Sequence, residues 1–282
     1  DIEGKIFVFS GDLGRENDLI LKDPVKPTKA DYLFIESTYG GRVHPDNWKE
    51  SLINIVNKGF KKGGTILIPS FAVERAQLVM YLLSILKVKG EIPDIPIYMD
   101  SPMANNVMEI FHNNSEWHKL QENDYEIMKK NVFNISSLKQ TLKLLKDNST
   151  KIIIAGSGMA SGGRILSYFE HYLENPKATI VLVGYQAEGT RGRDLLEGAK
   201  EIKLHGRYFT VKAKIENIQG LSAHADQNEI VNWLKALKDN PQKTFIIHGE
   251  KESAVALNDK LSSLLNYECY IPSLNEELIL KI

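Results

Sequence analysis

Lys151-Ile-Ile-Ile-Ala-Gly-Ser-Gly-Met-Ala-Ser-Gly-Gly-Arg164 is the stretch of this 282-residue chain that decides its fold. The apolar run after Lys151 predicts a buried strand, the glycines predict a tight loop, and the apolar positions between Arg164 and Leu173 predict a helix. A strand that passes through a short glycine-rich loop into a helix is the first half of a βαβ unit. The sequence therefore predicts an α/β fold built on a parallel sheet.

The same alternation continues on both sides of this stretch. Further strands are predicted at Thr65–Pro69, Ile95–Met99 and Ala178–Val183, and further helices at Phe71–Leu86, Met103–His112 and Leu138–Lys146. In sheets of this kind, ligands bind beyond the carboxyl ends of the strands. Loop residues that follow the predicted strands are therefore candidates for binding.

The two ends of the chain carry a second set of strands. They are predicted at Lys5–Ser10, Asp31–Ile35 and Thr244–Ile247. Asp12, Glu36 and His248 follow these strands, and His224 precedes a helix whose start is predicted by a capping box that begins at Asp226. We expect residues 1–40 and 219–282 to form one domain, with residues 41–218 inserted as another.

Composition narrows the classes of protein and of partner. A net charge of −1 excludes a global basic field for nucleic acid, so any such binding needs local patches. The single cysteine, Cys269, excludes an internal disulfide, and its strand-like surroundings predict a buried, unreactive thiol. No apolar run approaches the ~20 residues that span a bilayer. We expect a cytoplasmic location and no membrane partner. Since the chain starts without Met and runs straight into a strand, we also expect it to be a C-terminal piece of a longer protein.

Four polar residues are the candidates for chemistry. The carboxylate of Asp12 can bridge two metal ions, and His248 can give an imidazole nitrogen to zinc. His224 can donate a proton to a leaving group, and Glu36 can orient a ligand or a water. Each also has a purely structural interpretation. Asp12 can be a turn aspartate bonded to its own backbone, and His248 a core histidine. His224 can be a residue at a helix entry, and Glu36 the start of a turn.

Four motifs bring these residues into one family pattern. Ser10–Gly14, Glu36–Gly40, Ser222–Asp226 and His248–Glu250 resemble, in order and in wording, the late motifs of the β-CASP branch of the metallo-β-lactamase superfamily. That group includes ribonuclease J and the endonuclease subunit of the mRNA 3′-end cleavage complex. The resemblance implies a parallel-sheet β-CASP domain inserted in the C-terminal half of an αββα metallo-β-lactamase domain.

The resemblance also implies roles for the four candidates. Asp12 is then the carboxylate that bridges two zinc ions, and His248 ligates one of them. Glu36 supports the site, and His224 protonates the leaving group. A histidine at position 248 is what the resemblance associates with RNA-directed members, so RNA is the expected partner.

Two glycine-rich loops are suited to phosphate. Gly156–Arg164 and Gly184–Arg193 each connect a strand to a helix, where free amides and the helix dipole favour an anion. A flexible connection is the alternative interpretation; the resemblance favours loops that line an RNA channel. The residues predicted to contact RNA phosphates are Ser70, Arg75, Ser157, Ser161, Gly162, Arg164 and Arg191. For Ser70, capping of the following helix is the alternative.

The sequence departs from the family in one large respect. The His-x-His-x-Asp-His motif is absent, and the five remaining histidines are predicted to be surface or loop residues: His44, His112, His118, His171 and His205. Two ligands do not hold a zinc ion that normally takes three or four protein groups. We therefore expect a fragment of a zinc-dependent ribonuclease that is inactive alone.

Two other functions stay open from the sequence. One is a non-catalytic RNA-binding or scaffold member that has lost its metal site. The other is a zinc hydrolase of small molecules, against which the large insertion with its two phosphate-suited loops argues. Sheet edges exposed by a missing half-domain also favour self-association as a homodimer.

Overall fold

The computed structural model describes residues 2–280 of the chain. Its strands are β1 Phe7–Phe9, β2 Tyr32–Glu36, β3 Ile66–Pro69, β4 Ile97–Asp100, β5 Val132–Asn134, β6 Ile152–Ala155, β7 Thr179–Val183, β8 Glu201–Leu204, β9 Arg207–Thr210, β10 Lys214–Ile218, β11 Lys243–Ile247 and β12 Cys269–Tyr270. Its α-helices are α1 Trp48–Lys62, α2 Arg75–Val88, α3 Pro102–Asn113, α4 Glu122–Asn131, α5 Leu138–Lys146, α6 Ile165–Tyr172, α7 Arg191–Leu196, α8 Gln227–Leu234 and α9 Lys251–Leu265.

The chain divides into two compact units. The first comprises Asp1–His44 and Ala223–Ile282, and the second comprises Pro45–Ser222. The second unit is thus a continuous insertion into the first. The predicted boundaries, after residues 40 and 218, lie close to this division, while the assignment of the pieces to named domains stays a prediction.

The second unit is built on a parallel sheet. Its strand order is β10-β7-β3-β6-β4-β5, and every neighbouring pair is parallel. All four residues of β6 are buried, as are all of β3 and β7, because the central strands of such a sheet are covered on both faces. The predicted α/β class is confirmed.

All four predicted helices of this unit are present. α5 has the predicted bounds, and α3 and α6 differ from theirs by one residue at each end. α2 begins only at Arg75, because turns occupy residues 72–74 and Glu74 takes a left-handed φ of 62°. α1 was not predicted, although its buried Leu52, Ile55 and Val56 follow helical spacing and Gly63 ends it in the left-handed conformation.

The first unit contains a four-stranded parallel sheet in the order β1-β2-β11-β12. Alternation along β2 and β11 turns Leu33, Ile35 and Ile246 towards one face, where they share a buried cluster with residues of α8 and α9. The opposite face carries stacked aromatic rings, with centroids 4.4 Å apart for Phe9 and Phe34. An αββα domain has two sheets; within residues 2–280 the first unit has this one.

Two local predictions concern this unit. The capping box at the start of α8 is present, since Asp226 accepts from the amides of residues 228 and 229 while Glu229 accepts from the Asp226 amide. Cys269 is partly rather than fully buried, and burial raises the pKa of its thiol, which lowers the reactive thiolate fraction. Among the described residues, none of the helices has the length and apolar character needed to cross a membrane.

Candidate metal centre and glycine-rich loop

Three candidate residues follow adjacent parallel strands of the first unit. Asp12 comes shortly after β1, Glu36 ends β2, and His248 comes directly after β11. Phe9 pairs with Phe34, and Ile247 pairs with Glu36, so the carboxyl ends of these strands lie at one edge of the sheet. The sheet thereby gathers residues that are far apart in sequence.

Glu36 fixes the orientation of His224. Its fully buried carboxylate accepts from Nδ1 of His224, which lies 3.0 and 3.1 Å from the two oxygens, and from the backbone amide of Leu13. An ionised carboxylate only accepts, so the Nδ1 position of His224 carries a proton. Nδ1 is therefore engaged by Glu36, and Nε2 is the ring nitrogen through which His224 would act on a metal ion or a leaving group.

His248 and Asp12 complete a cluster with His224. Nε2 of His248 lies 3.6 Å from Oδ1 of Asp12, and the two imidazole rings face each other with centroids 5.9 Å apart. One potential ligand atom from each of the three residues lies within 4.8 Å of the others. The Asp12 and His248 side chains are 70% and 56% exposed, so the cluster opens to solvent.

These donors fit a metal ion of the zinc type. Imidazole nitrogen and carboxylate oxygen are the atoms that zinc takes at catalytic sites, where three protein ligands leave one position open. The sequence predicted Asp12 and His248 as ligands and His224 as a proton donor beside them. The geometry brings all three together and makes His224 available as a third ligand as well.

His44 is the site residue that the sequence interpretation missed. It was predicted as a surface or loop histidine; it does lie in a loop, but it is only 7% exposed, so the surface alternative is wrong. Its Nε2 lies 3.0 Å from the backbone oxygen of His224, its amide donates to Asp226, and its ring packs edge-on against Tyr39. The surface prediction is also wrong for His118, which is buried in the second unit, whereas His112, His171 and His205 are exposed. No spacing signal marks His44, because its hydrogen-bond partners Asp226 and His224 lie about 180 positions away in the sequence.

In the second unit, Ser157 closes the Gly156–Arg164 loop on itself. Its Oγ accepts from the amides of Ser161 and Gly162 at 3.1 and 3.2 Å. Arg191 holds the same loop from outside, since it donates to the Ser161 oxygen at 3.2 Å and to the Lys203 oxygen at 2.8 Å. Ser157, Ser161, Gly162 and Arg191 thus lie together, as their predicted common role requires, and their contact with RNA stays a prediction.

The other three predicted phosphate ligands are engaged within the protein. Arg164 pairs with the buried carboxylate of Asp100 at 3.0 Å, and its side chain is 23% exposed. Ser70 is buried, donates to the oxygen of Phe71 and does not cap α2. Arg75 is buried and pairs with Glu74 at 3.2 Å. As placed, these residues support the loops, and their predicted RNA contacts remain to be tested.

Two neighbouring glycines of this loop provide a matched test of its packing. A Cβ on Gly163, whose φ is +72°, would lie 2.6 Å from the Gly156 oxygen, whereas a Cβ on Gly162 would meet nothing within 4 Å. We expect Gly163→Ala to lower the free energy of unfolding by at least about 2 kcal/mol. Gly162→Ala should change it by no more than about 0.5 kcal/mol. Urea denaturation measures both, and equal effects would contradict this packing.

Two family models match the chain. The Beta-Casp domain matches residues 76–195, and the Zn-dependent metallo-hydrolase RNA specificity domain matches residues 208–272.

Curated relatives extend beyond the chain. Ribonuclease TTHA0252 of Thermus thermophilus is 33% identical over 97% of the chain, and the RNase J-like protein of Methanocaldococcus jannaschii is 29% identical over 96%. Transcription termination factor FttA of Methanosarcina mazei is 29% identical over 93%. The chain spans 64%, 65% and 44% of these three relatives.

Proposed function

We propose that the chain, which belongs to the β-CASP family of the metallo-β-lactamase superfamily, is part of a zinc-dependent ribonuclease. This enzyme would hydrolyse RNA phosphodiester bonds. The Asp12–His224–His248 cluster carries the proposal, because three metal-type donors within 4.8 Å of one another lie at the carboxyl edge of a parallel sheet. The matched Zn-dependent metallo-hydrolase RNA specificity domain supports a metal cofactor, and the ribonuclease names of relatives support RNA as the substrate.

The residues of the chain have separate tasks in this proposal. Asp12 and His248 would hold the metal, and a bound metal would supply activation of a water and stabilisation of charge on phosphorus. Glu36 keeps the ring of His224 in place through Nδ1. In its imidazolium form, with Nδ1–H donated to Glu36, His224 then gives its Nε2 proton to the leaving oxygen and becomes neutral. The loop of Ser157, Ser161 and Gly162, together with Arg191, positions the RNA strand by its phosphates.

Two alternatives differ in a measurable way. A non-catalytic RNA-binding member would bind RNA without cleaving it, and a hydrolase of small molecules would not bind RNA. Cytoplasmic location and a homodimer belong to the proposal as well. Size-exclusion chromatography with light scattering tests the dimer.

Cleavage of labelled RNA by the full-length protein tests the function. We expect cleavage with zinc present, loss of cleavage after chelation, and recovery when zinc is returned. Single-stranded DNA of the same sequence is the control and should be cut more slowly. Cleavage that persists after complete metal removal would contradict a metal-dependent reaction, and binding without cleavage would favour the scaffold alternative.

A further inference from the structure

Thr38 lies against His248 at the edge of the candidate metal centre. The threonine is buried, and its Oγ1 lies 3.2 Å from Nδ1 of His248 and 3.3 Å from the backbone oxygen of the same residue. Both contacts are hydrogen bonds only if the single hydroxyl proton of Thr38 goes to the carbonyl oxygen, which can only accept, and Oγ1 accepts from Nδ1. The threonine oxygen then faces Nδ1 with a lone pair.

This direction selects one tautomer of His248. A lone pair opposite Nδ1 requires the proton to be on Nδ1, because two acceptors facing each other would both be unsatisfied. The neutral ring then has its own lone pair on Nε2, the nitrogen that lies 3.6 Å from Asp12. In water a neutral histidine prefers the opposite tautomer, with its proton on Nε2. Thr38 therefore favours the form of His248 that is able to bind a metal.

The backbone around His248 fixes the position of the carbonyl oxygen that Thr38 contacts. His248 takes a left-handed φ of 50°, which is unfavourable for a residue with a side chain. The Ser37 amide donates to the His248 oxygen at 3.1 Å, and the Ser37 hydroxyl donates to the Ile247 oxygen at 2.9 Å. The oxygen that receives the Thr38 proton is thus held by a second donor, so it does not swing away from the hydroxyl.

We propose that Thr38 is a positioning residue that sets the tautomer of His248 and keeps Nε2 unprotonated towards Asp12. The proposal rests on the metal site of the proposed function. It gives that site a symmetric construction, in which Glu36 holds Nδ1 of His224 and Thr38 holds Nδ1 of His248. Loss of a side chain that hydrogen-bonds a metal ligand in this way typically weakens metal binding by about 10- to 100-fold.

The matched variants Thr38→Val and Thr38→Ser test this role. Valine keeps the shape of threonine without the hydroxyl, while serine keeps the hydroxyl without the methyl group. Nitrogen-15 NMR of the imidazole, in the metal-free protein at alkaline pH, reads the tautomer directly. We expect the proton on Nδ1 in the parent and in Thr38→Ser, and a shift of the proton to Nε2 in Thr38→Val.

Zinc titration of the same three proteins is the second measurement. We expect Thr38→Val to bind zinc about 10- to 100-fold more weakly than the parent, and Thr38→Ser to restore binding. A Thr38→Val protein with the parent's tautomer overturns the proposal whatever its zinc affinity. A parent that binds no zinc overturns the metal site instead, while the tautomer still decides the role of Thr38. Since serine restores the hydroxyl, a loss shared equally by both variants would show a packing role and also overturn the proposal.

Discussion

Replacing His224 with alanine in the full-length protein is expected to lower the rate of RNA cleavage by about 10²- to 10⁴-fold, the usual contribution of a positioned proton donor. The ring is held for this task, because Glu36 binds Nδ1 and His44 lies 3.0 Å from the backbone oxygen of the same residue. The maximal rate should fall while the Michaelis constant for RNA stays near its original value, since the phosphate-suited loops lie elsewhere in the chain.

A substrate with a better leaving group separates proton donation from metal binding. RNA with sulfur in place of the leaving oxygen expels a thiolate, which needs no proton from the enzyme. If His224 is the proton donor, His224→Ala should cut this substrate nearly as fast as the parent protein and should retain its zinc. If the variant loses zinc and cuts both substrates equally poorly, His224 is the third ligand of the cluster with Asp12 and His248.

The features that could be predicted from the sequence are the local ones. β6, its glycine loop and α6 form one continuous pattern of apolar and glycine residues, so their type and position could be predicted together. Glu36 and His248 could be selected as candidates because each stands at or directly after the end of a short apolar strand. Their closeness follows from the parallel pairing of β2 with β11, which the structure shows and the sequence did not predict.

The features that could not be predicted depend on distant partners. Thr38 and His44 act through hydrogen bonds with residues about 180 to 210 positions away, and in each the partner includes a backbone oxygen, which leaves no mark in the sequence. Arg164 was predicted to face RNA because it ends a glycine loop. β4 lies beside β6, with Asp100 paired to Ala155, and this strand order brings a buried carboxylate within reach of that arginine.

Replacing Asp100 with alanine is expected to lower the free energy of unfolding by about 3–5 kcal/mol, the usual cost of removing one partner of a buried ion pair. Its fully buried carboxylate accepts from Arg164 at 3.0 Å, from the Thr141 hydroxyl at 2.7 Å and from the Tyr168 hydroxyl at 2.6 Å. Burial, and then the hydrogen bond to Asp100, raise the pKa of Tyr168, so its hydroxyl stays protonated and donates. Alanine leaves all three donors without this acceptor.

Urea denaturation measures this loss against a matched surface variant. Asp94 pairs with Lys87 at 2.8 Å, but its side chain is 91% exposed, so Asp94→Ala should cost no more than about 0.5 kcal/mol. Tyr168→Phe removes one neutral donor and should cost about 1 kcal/mol. Equal losses in Asp100→Ala and Asp94→Ala would contradict the buried network.

A double-mutant cycle decides whether Asp100 acts through Arg164 on the glycine loop. Each single alanine variant removes the ion pair, and Asp100→Ala also leaves a largely buried guanidinium without its counter-charge. The double variant removes both charges, so its destabilisation should be smaller than the sum of the single losses by about 1–3 kcal/mol. Because Arg164 directly precedes α6 and ends the loop of Ser157 and Gly162, a coupled pair should also weaken RNA binding in either single variant. Strictly additive losses would mean that the two residues act independently, so that the contact with Asp100 does not keep Arg164 from binding phosphate, as the sequence alone suggested.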